Sequence, residues 1–309
     1  MEVYYLRAVR TVSAQLEKVQ HLEKWMLFAL ASPCAAFIGS LWGQVANPFP
    51  RQGSGLMAGT LYTAVWVAWI GFSIGGTVAV IQNWYMQRLE TAGRALATAV
   101  GYATLGGFLG GVALVIVKVT LATIEGMLFK SATMAHIAGW TAESLVLAAF
   151  ISRSIPNLPM KRALIAGSIA GFLGGFATGI SIPAALGDSL KGVLLGLAIG
   201  LVEKVAREAW IEVHRDFSAE AASGSIVMMN QVPKINLGEN PLRVGSTPDC
   251  EIFVRSGDDK SEVLKTLTFK DQRIFVKDQD SGIERQMDDG QSVRVANVTL
   301  KAFLKRKPS

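Results

Sequence analysis

Cysteine and histidine are almost missing from this chain. Two cysteines, Cys34 and Cys250, and three histidines, His21, His136 and His214, are scattered over 309 residues. Two distant cysteines cannot frame a disulfide-stapled fold. The histidines and cysteines show no metal-ligand spacing. A glycine loop ending in Gly-Lys-Ser or Gly-Lys-Thr, which would cradle phosphates, is also missing. No segment gathers a nucleophile, a base and an orienting group. The expectation is therefore a protein that is not an enzyme, with no catalytic residues, no cofactor and no metal. An apolar signal core is lacking too, because residues 1–24 are too charged, so the hydrophobic segments that follow are expected to be retained.

Charge is scarce as well, at 17% of residues, and it is unevenly spread. Residues 1–217 hold the long apolar runs with 16 Lys and Arg against 11 Asp and Glu, whereas 218–309 carries 14 against 13. A near-neutral tail argues against nucleic-acid binding despite the overall basic balance. The basic excess of the first part reads instead as membrane topology. Before the apolar runs, Tyr5, Val9, Val12, Leu16 and Val19 form one helical stripe, expected as an N-terminal helix over 1–24.

Crossing a bilayer takes about 20 mostly apolar residues in a helix, since lipid cannot satisfy free backbone groups. Segments 25–46, 56–82, 95–117 and 163–182 meet this without charge, and 131–151 meets it while carrying His136 and Glu143. A sixth span is weaker. Its clean core, Gly192–Val202, gives only about 16 Å of helix. Ile182–Ala185 can lengthen it, with Lys191 and Lys204 snorkelling from its ends. Six spans over 25–217 place both termini on one side. Twelve basic residues then face that side and four, Arg51, Lys118, Lys130 and Lys191, face the other. The bias predicts cytoplasmic termini.

Glycine, by contrast, is abundant and ordered. Gly167, Gly171, Gly175 and Gly179 lie four apart in the fifth span, and Gly192, Gly196 and Gly200 repeat the spacing in the sixth. Small residues on one face let helices approach closely in lipid. They predict tight packing, within the chain by default or in a homo-oligomer as the alternative. "GFLGG" occurs at 107–111 and again at 171–175, which hints at duplicated helix pairs. Glu143 is the ionisable residue deepest in a span, with His136 two turns before it. The pair could line an ion path, or Glu143 could lock two helices together.

After a small polar linker, 218–224, residues 225–309 change period. Short alternating runs such as "PLRVG", "CEIFV", "VLKTLTF", "RIFVK" and "VTLKAFL" are separated by turn signals. They predict a small all-β sandwich or barrel.

"LRVGSTPDCEIFV", "LKTLTFKDQRIFVKDQDSG" and "MDDGQSVRVANVTLKAFL" follow the order of features in a forkhead-associated domain, the sandwich that binds phosphothreonine. The resemblance covers Ser225–Arg306. It implies a binding loop near Arg243, Ser246, Thr247 and Arg255. That family's arginine after the glycine is replaced here by Ser246, its serine-to-histidine segment has no histidine, and its asparagine-glycine pair has no asparagine. A phosphate dianion calls for charge-assisted, bidentate donors, which a serine hydroxyl does not supply. The resemblance thus implies a degenerate sandwich that binds protein without reading phosphate.

"AHIAGWTAESLVL" and "LKGVLLGLAIGLVEKVAREAW", leading directly into such a sandwich, resemble a group of bacterial multi-pass membrane proteins. That resemblance implies the inner membrane, with cytoplasmic partners among von Willebrand factor A-type proteins or kinase signalling components. The expectation is an α-helical membrane bundle of about six spans and a forkhead-associated-like sandwich, acting as a scaffold or adaptor. Its alternatives are a small transporter or channel with the tail as regulator, and a true phosphothreonine reader.

Overall fold

A computed structural model describes Thr11 and residues 22–49, 55–86, 93–128, 133–153, 155, 158–179, 183–205, 208–215, 232–238, 240–247, 249–254 and 262–305. The expected N-terminal helix and the linker at 218–224 lie almost wholly or wholly outside these. The chain divides into two compact units, one of Lys24–Ile81 with Leu96–Lys204, the other chiefly Val205–Ser309.

The first unit is helical. It holds α1 (Lys24–Val45), α2 (Gly55–Tyr85, to Ile81), α3 (Gly93–Leu128, from Leu96), α4 (Thr133–Ser152), α5 (Met160–Gly179) and α6 (Ala184–Val205, to Lys204). Pro159 and Pro183 stand just before α5 and α6, where a missing N–H costs nothing. Their carbonyls accept the first helical bonds, from Ala163 N at 3.2 Å and Gly187 N at 3.0 Å. Phe28, Ile70, Leu147, Leu195 and Ile199 fill the interior. Large apolar side chains also face outward: on α5, Ile165, Ile169, Phe172 and Phe176 stay exposed while the glycines turn in. A helix apolar on both faces suits lipid on one side and protein on the other.

Four of these helices, α1, α2, α3 through Ile124 and α4, are long and apolar enough to cross a membrane. This corrects the expectation of six spans. Among the described residues α5 and α6 form but do not meet the same standard. α5 opens with Lys161 and Arg162 and is dominated by glycine and alanine, whereas α6 carries Asp188, Lys191, Glu203 and Lys204.

The second unit contains two sheets. One has four antiparallel strands in the order β2 (Lys234–Asn236), β1 (Ala209–Arg215), β9 (Val298–Leu304), β8 (Ser292–Val295). The other runs β4 (Ile252–Phe253), β3 (Leu242–Gly245), β5 (Val263–Lys270), β6 (Arg273–Asp278), β7 (Glu284–Met287), with β3 and β4 parallel. Ile211, Leu300 and Ala302 of the first sheet and Leu242, Leu267 and Ile274 of the second belong to one buried apolar cluster. Strand alternation puts them there, since every second side chain points to the same face.

β1 lies earlier in the chain than residue 225, and it pairs with β9 along its whole length, from Ala209 opposite Leu304 to Arg215 opposite Val298. Ala209, Ile211 and Val213 are buried, whereas Glu212 and His214 point away from the core. Between β5 and β6 the chain reverses through Asp271 and Gln272 alone, at φ 49° and 62°. Two left-handed residues in succession match the right-handed twist of a hairpin, and Asp is among the residues that tolerate it.

Candidate functional sites

The helical unit buries three charged side chains together. Lys191 of α6 donates from Nζ to Glu143 Oε1 of α4 at 2.6 Å, and Asp188, one turn earlier on α6, lies with Oδ1 3.0 Å from the same nitrogen. All three side chains are at most 1% exposed. The indole of Trp140 lies against the ammonium, 4.5 Å from Nζ to the ring centroid. The Ser40 hydroxyl of α1 stands beside Asp188 and accepts a bond from Trp66 Nε1 at 3.2 Å.

Lys191 therefore does not snorkel to an outer surface, as the sequence suggested. Its stem runs inward because glycine leaves room for it. A Cβ added to Gly174 of α5 would stand 3.3 Å from Lys191 Cβ. Once inside, an ammonium needs counter-charges, and α4 and α6 supply two. Asp188 was absent from the sequence reading of this region. Its i, i+3 spacing to Lys191 was the available signal, since such residues are neighbours on one helix face.

His136 and Glu143 do not come together. His136 Nε2 and Thr178 Oγ1 of α5 are 2.8 Å apart, and the His136 ring packs on Trp140. Both residues of the expected pair thus act between helices, each with a different partner.

The glycine faces meet two different helices. Gly167, Gly171 and Gly175 lie on α4, where added Cβ atoms would come within 2.6 Å of Ser144 O, 2.6 Å of Thr141 Cα and 3.0 Å of Ile137 Cα. Gly179 is looser, with only Thr133 Cγ2 at 3.8 Å. Gly192, Gly196 and Gly200 lie on α1 against Ser32, Phe28 and Trp25.

In the sheet unit, the expected binding loop is knitted to its own neighbours. Arg243 donates from Nη2 to Glu251 Oε1 at 3.0 Å and to the Asp249 carbonyl at 2.6 Å, and from Nε to Glu251 Oε2 at 3.3 Å. Glu251 also accepts the Arg243 backbone N–H at 2.8 Å. These bonds push the guanidinium still further above its ordinary range. Ser246 Oγ accepts from Glu262 N at 3.0 Å, while Ser246 N donates to Glu262 O at 2.9 Å. Thr247 Oγ1 and the buried Cys250 Sγ are 2.8 Å apart. Arg255 lies outside the described residues. Gly245 permits the turn by close approach, because a Cβ there would come 2.7 Å from Val263 Cα.

A different feature was missed by the sequence reading. Among the described residues β7 pairs with β6 alone and β8 with β9 alone, so both are sheet edges there. Between them lies a cavity of about 320 Å³ whose lining includes Ile283, Arg285, Met287 and Val293. Ile283 is half exposed. "ERQM" has no apolar alternation to announce a strand. Comparison with family models, with curated proteins and with solved structures finds no match for the chain.

Proposed function

We propose that the protein is a membrane-anchored adaptor, in which the helical unit holds the chain in the bilayer and the sheet unit holds a protein partner on the cytoplasmic side. The observation that carries this reading is the open groove between β7 and β8. An unpaired edge strand offers a row of backbone donors and acceptors to an extended segment of another protein. The groove adds specificity: Ile283, Met287 and Val293 suit an apolar side chain, and Arg285 suits an acidic one. The occupant proposed is an extended acidic-apolar segment of a cytoplasmic protein. The bacterial inner membrane, and partners of the von Willebrand factor A or kinase signalling type, rest on sequence resemblance alone.

The degenerate forkhead-associated reading draws support from the loop. Arg243, which the resemblance places by the binding loop, is already held by Glu251. A phosphate would have to displace a carboxylate that makes three bonds. The transporter reading is weakened by the sealing of Glu143, which a continuous polar path would have to expose.

Affinity capture from mild-detergent membranes tests the reading on the full chain, comparing wild type with Ile283→Asp and Arg285→Glu. A partner lost with both variants, retained by Ser246→Ala and indifferent to phosphatase supports the adaptor. Loss on phosphatase treatment would instead restore a phosphothreonine reader. If neither groove variant changes any partner, the adaptor reading fails.

A further inference from the structure

The charges buried in the helical unit do not balance. Glu143 and Asp188 bring two carboxylates to a single ammonium, Lys191, and none of the three is more than 1% exposed. With every group ionised the cluster would carry one net negative charge in a medium that stabilises isolated charge poorly. Burying an unpaired ion is costly even after relaxation, so such groups are neutralised by a partner or by a proton. Among the described residues, no other titratable group on the neighbouring helices forms an ion pair with either acid. His136 on α4 is joined to Thr178, and Lys118 of α3 lies near Gly139 of α4, a turn from Glu143 and not within ion-pair reach of either acid.

The two acids are also bonded differently. Glu143 receives the short, well-directed bond from Lys191. Asp188 makes the ion pair, but neither of its oxygens accepts a well-directed hydrogen bond, although both are buried. Ser40, beside it, has a hydroxyl that can accept from a protonated acid or donate to an ionised one.

We propose that the Asp188–Lys191–Glu143 cluster is a proton-binding site that holds one proton, on Asp188, while Glu143 and Lys191 stay ionised as a pair. The proton is added to an Asp188 carboxylate oxygen, which becomes a neutral acid, and its release leaves the cluster with one uncompensated negative charge. Release therefore loosens the junction of α4, α6 and α1, which makes the cluster a proton-controlled latch. This goes beyond the adaptor reading and stands or falls apart from it.

Infrared difference spectroscopy of the full chain in lipid nanodiscs at neutral pH reads the proton directly. Wild type minus Asp188→Asn should show a protonated carboxylic-acid band. Wild type minus Glu143→Gln should show it too, because removing either acid leaves one carboxylate for one ammonium and no need of a proton. Carbon-13 labelling of aspartate should shift the band. Both substitutions keep shape and remove the surplus charge, so both variants should fold. A second readout is alkaline stability: wild type should lose its thermal midpoint as pH rises, and Asp188→Asn should keep it. A difference spectrum without the band in either variant, a band that ignores aspartate labelling, or equal alkaline losses in wild type and Asp188→Asn would each overturn the proposal.

Discussion

Lysine meets carboxylate in both units, under opposite conditions. Lys191 sits fully buried between Glu143 and Asp188, while Lys265 meets Asp278 across β5 and β6 with both side chains partly in water. The chemistry is the same and the consequence is not. A buried pair has lost its hydration and becomes costly to break, whereas a solvated pair exchanges one set of favourable contacts for another. Polar pairing thus fixes helix against helix in one unit and only decorates a sheet in the other. The sheet unit is held instead by its apolar cluster.

The largest effect expected from breaking this contrast is at Lys191. Lys191→Met leaves Glu143 buried without its counter-ion and should destabilise the helical unit by about 3–5 kcal/mol, the cost of breaking a buried pair, measurable as reduced thermal stability in detergent. In the sheet unit a comparable loss requires the apolar core. Leu242→Ala should cost about 2–5 kcal/mol by leaving a cavity, read from chemical denaturation followed by tryptophan fluorescence.

Smaller effects separate the glycines. Gly171→Ala forces α5 off Thr141 and should destabilise by about 1–3 kcal/mol, as overpacking does. Gly179→Ala meets only Thr133 Cγ2 at 3.8 Å, so it should be tolerated. Equal losses at both would show that spacing alone, and not close approach, governs these positions.

The smallest effect belongs to the surface pair. Hydrogen bonding from Lys265 holds the Asp278 carboxyl below its ordinary range. A depressed carboxyl contributes stability above its unfolded value and loses it as pH falls through the lower folded one. Asp278→Asn should therefore lower stability slightly near neutrality and make no difference in strong acid, seen by comparing the two unfolding curves near neutrality and below the normal carboxylate range.

The two regions also differ in how much of them could be read from sequence. The glycine spacing announced close helix contact, because one residue type repeated every four positions can serve little else. It could not name the helices met, since that depends on how the chain returns. Most strands were legible from their alternation, whereas β1 was anticipated only through the resemblance that carries the last helix directly into a sandwich. "AWIEVHR" continues a helical sequence, and its charges suggested a helix end, although Ala209, Ile211 and Val213 already followed a two-residue period. Lys191 looked like the flank of a weak span, and Asp188 drew no notice. Their true partner, Glu143, is 48 residues from Lys191, and such pairing is invisible to any local pattern.

That charge buried in the helical unit must be matched by opposite charge is open to a coupling measurement on the full chain in nanodiscs. Thermal unfolding would compare Lys191→Met, the double variant Glu143→Gln with Asp188→Asn, and the triple variant combining all three. Each of the first two should be strongly destabilised and the triple variant should recover most of the loss, since no charge is then left without a partner. Losses that simply add in the triple variant would contradict the need for matched charge.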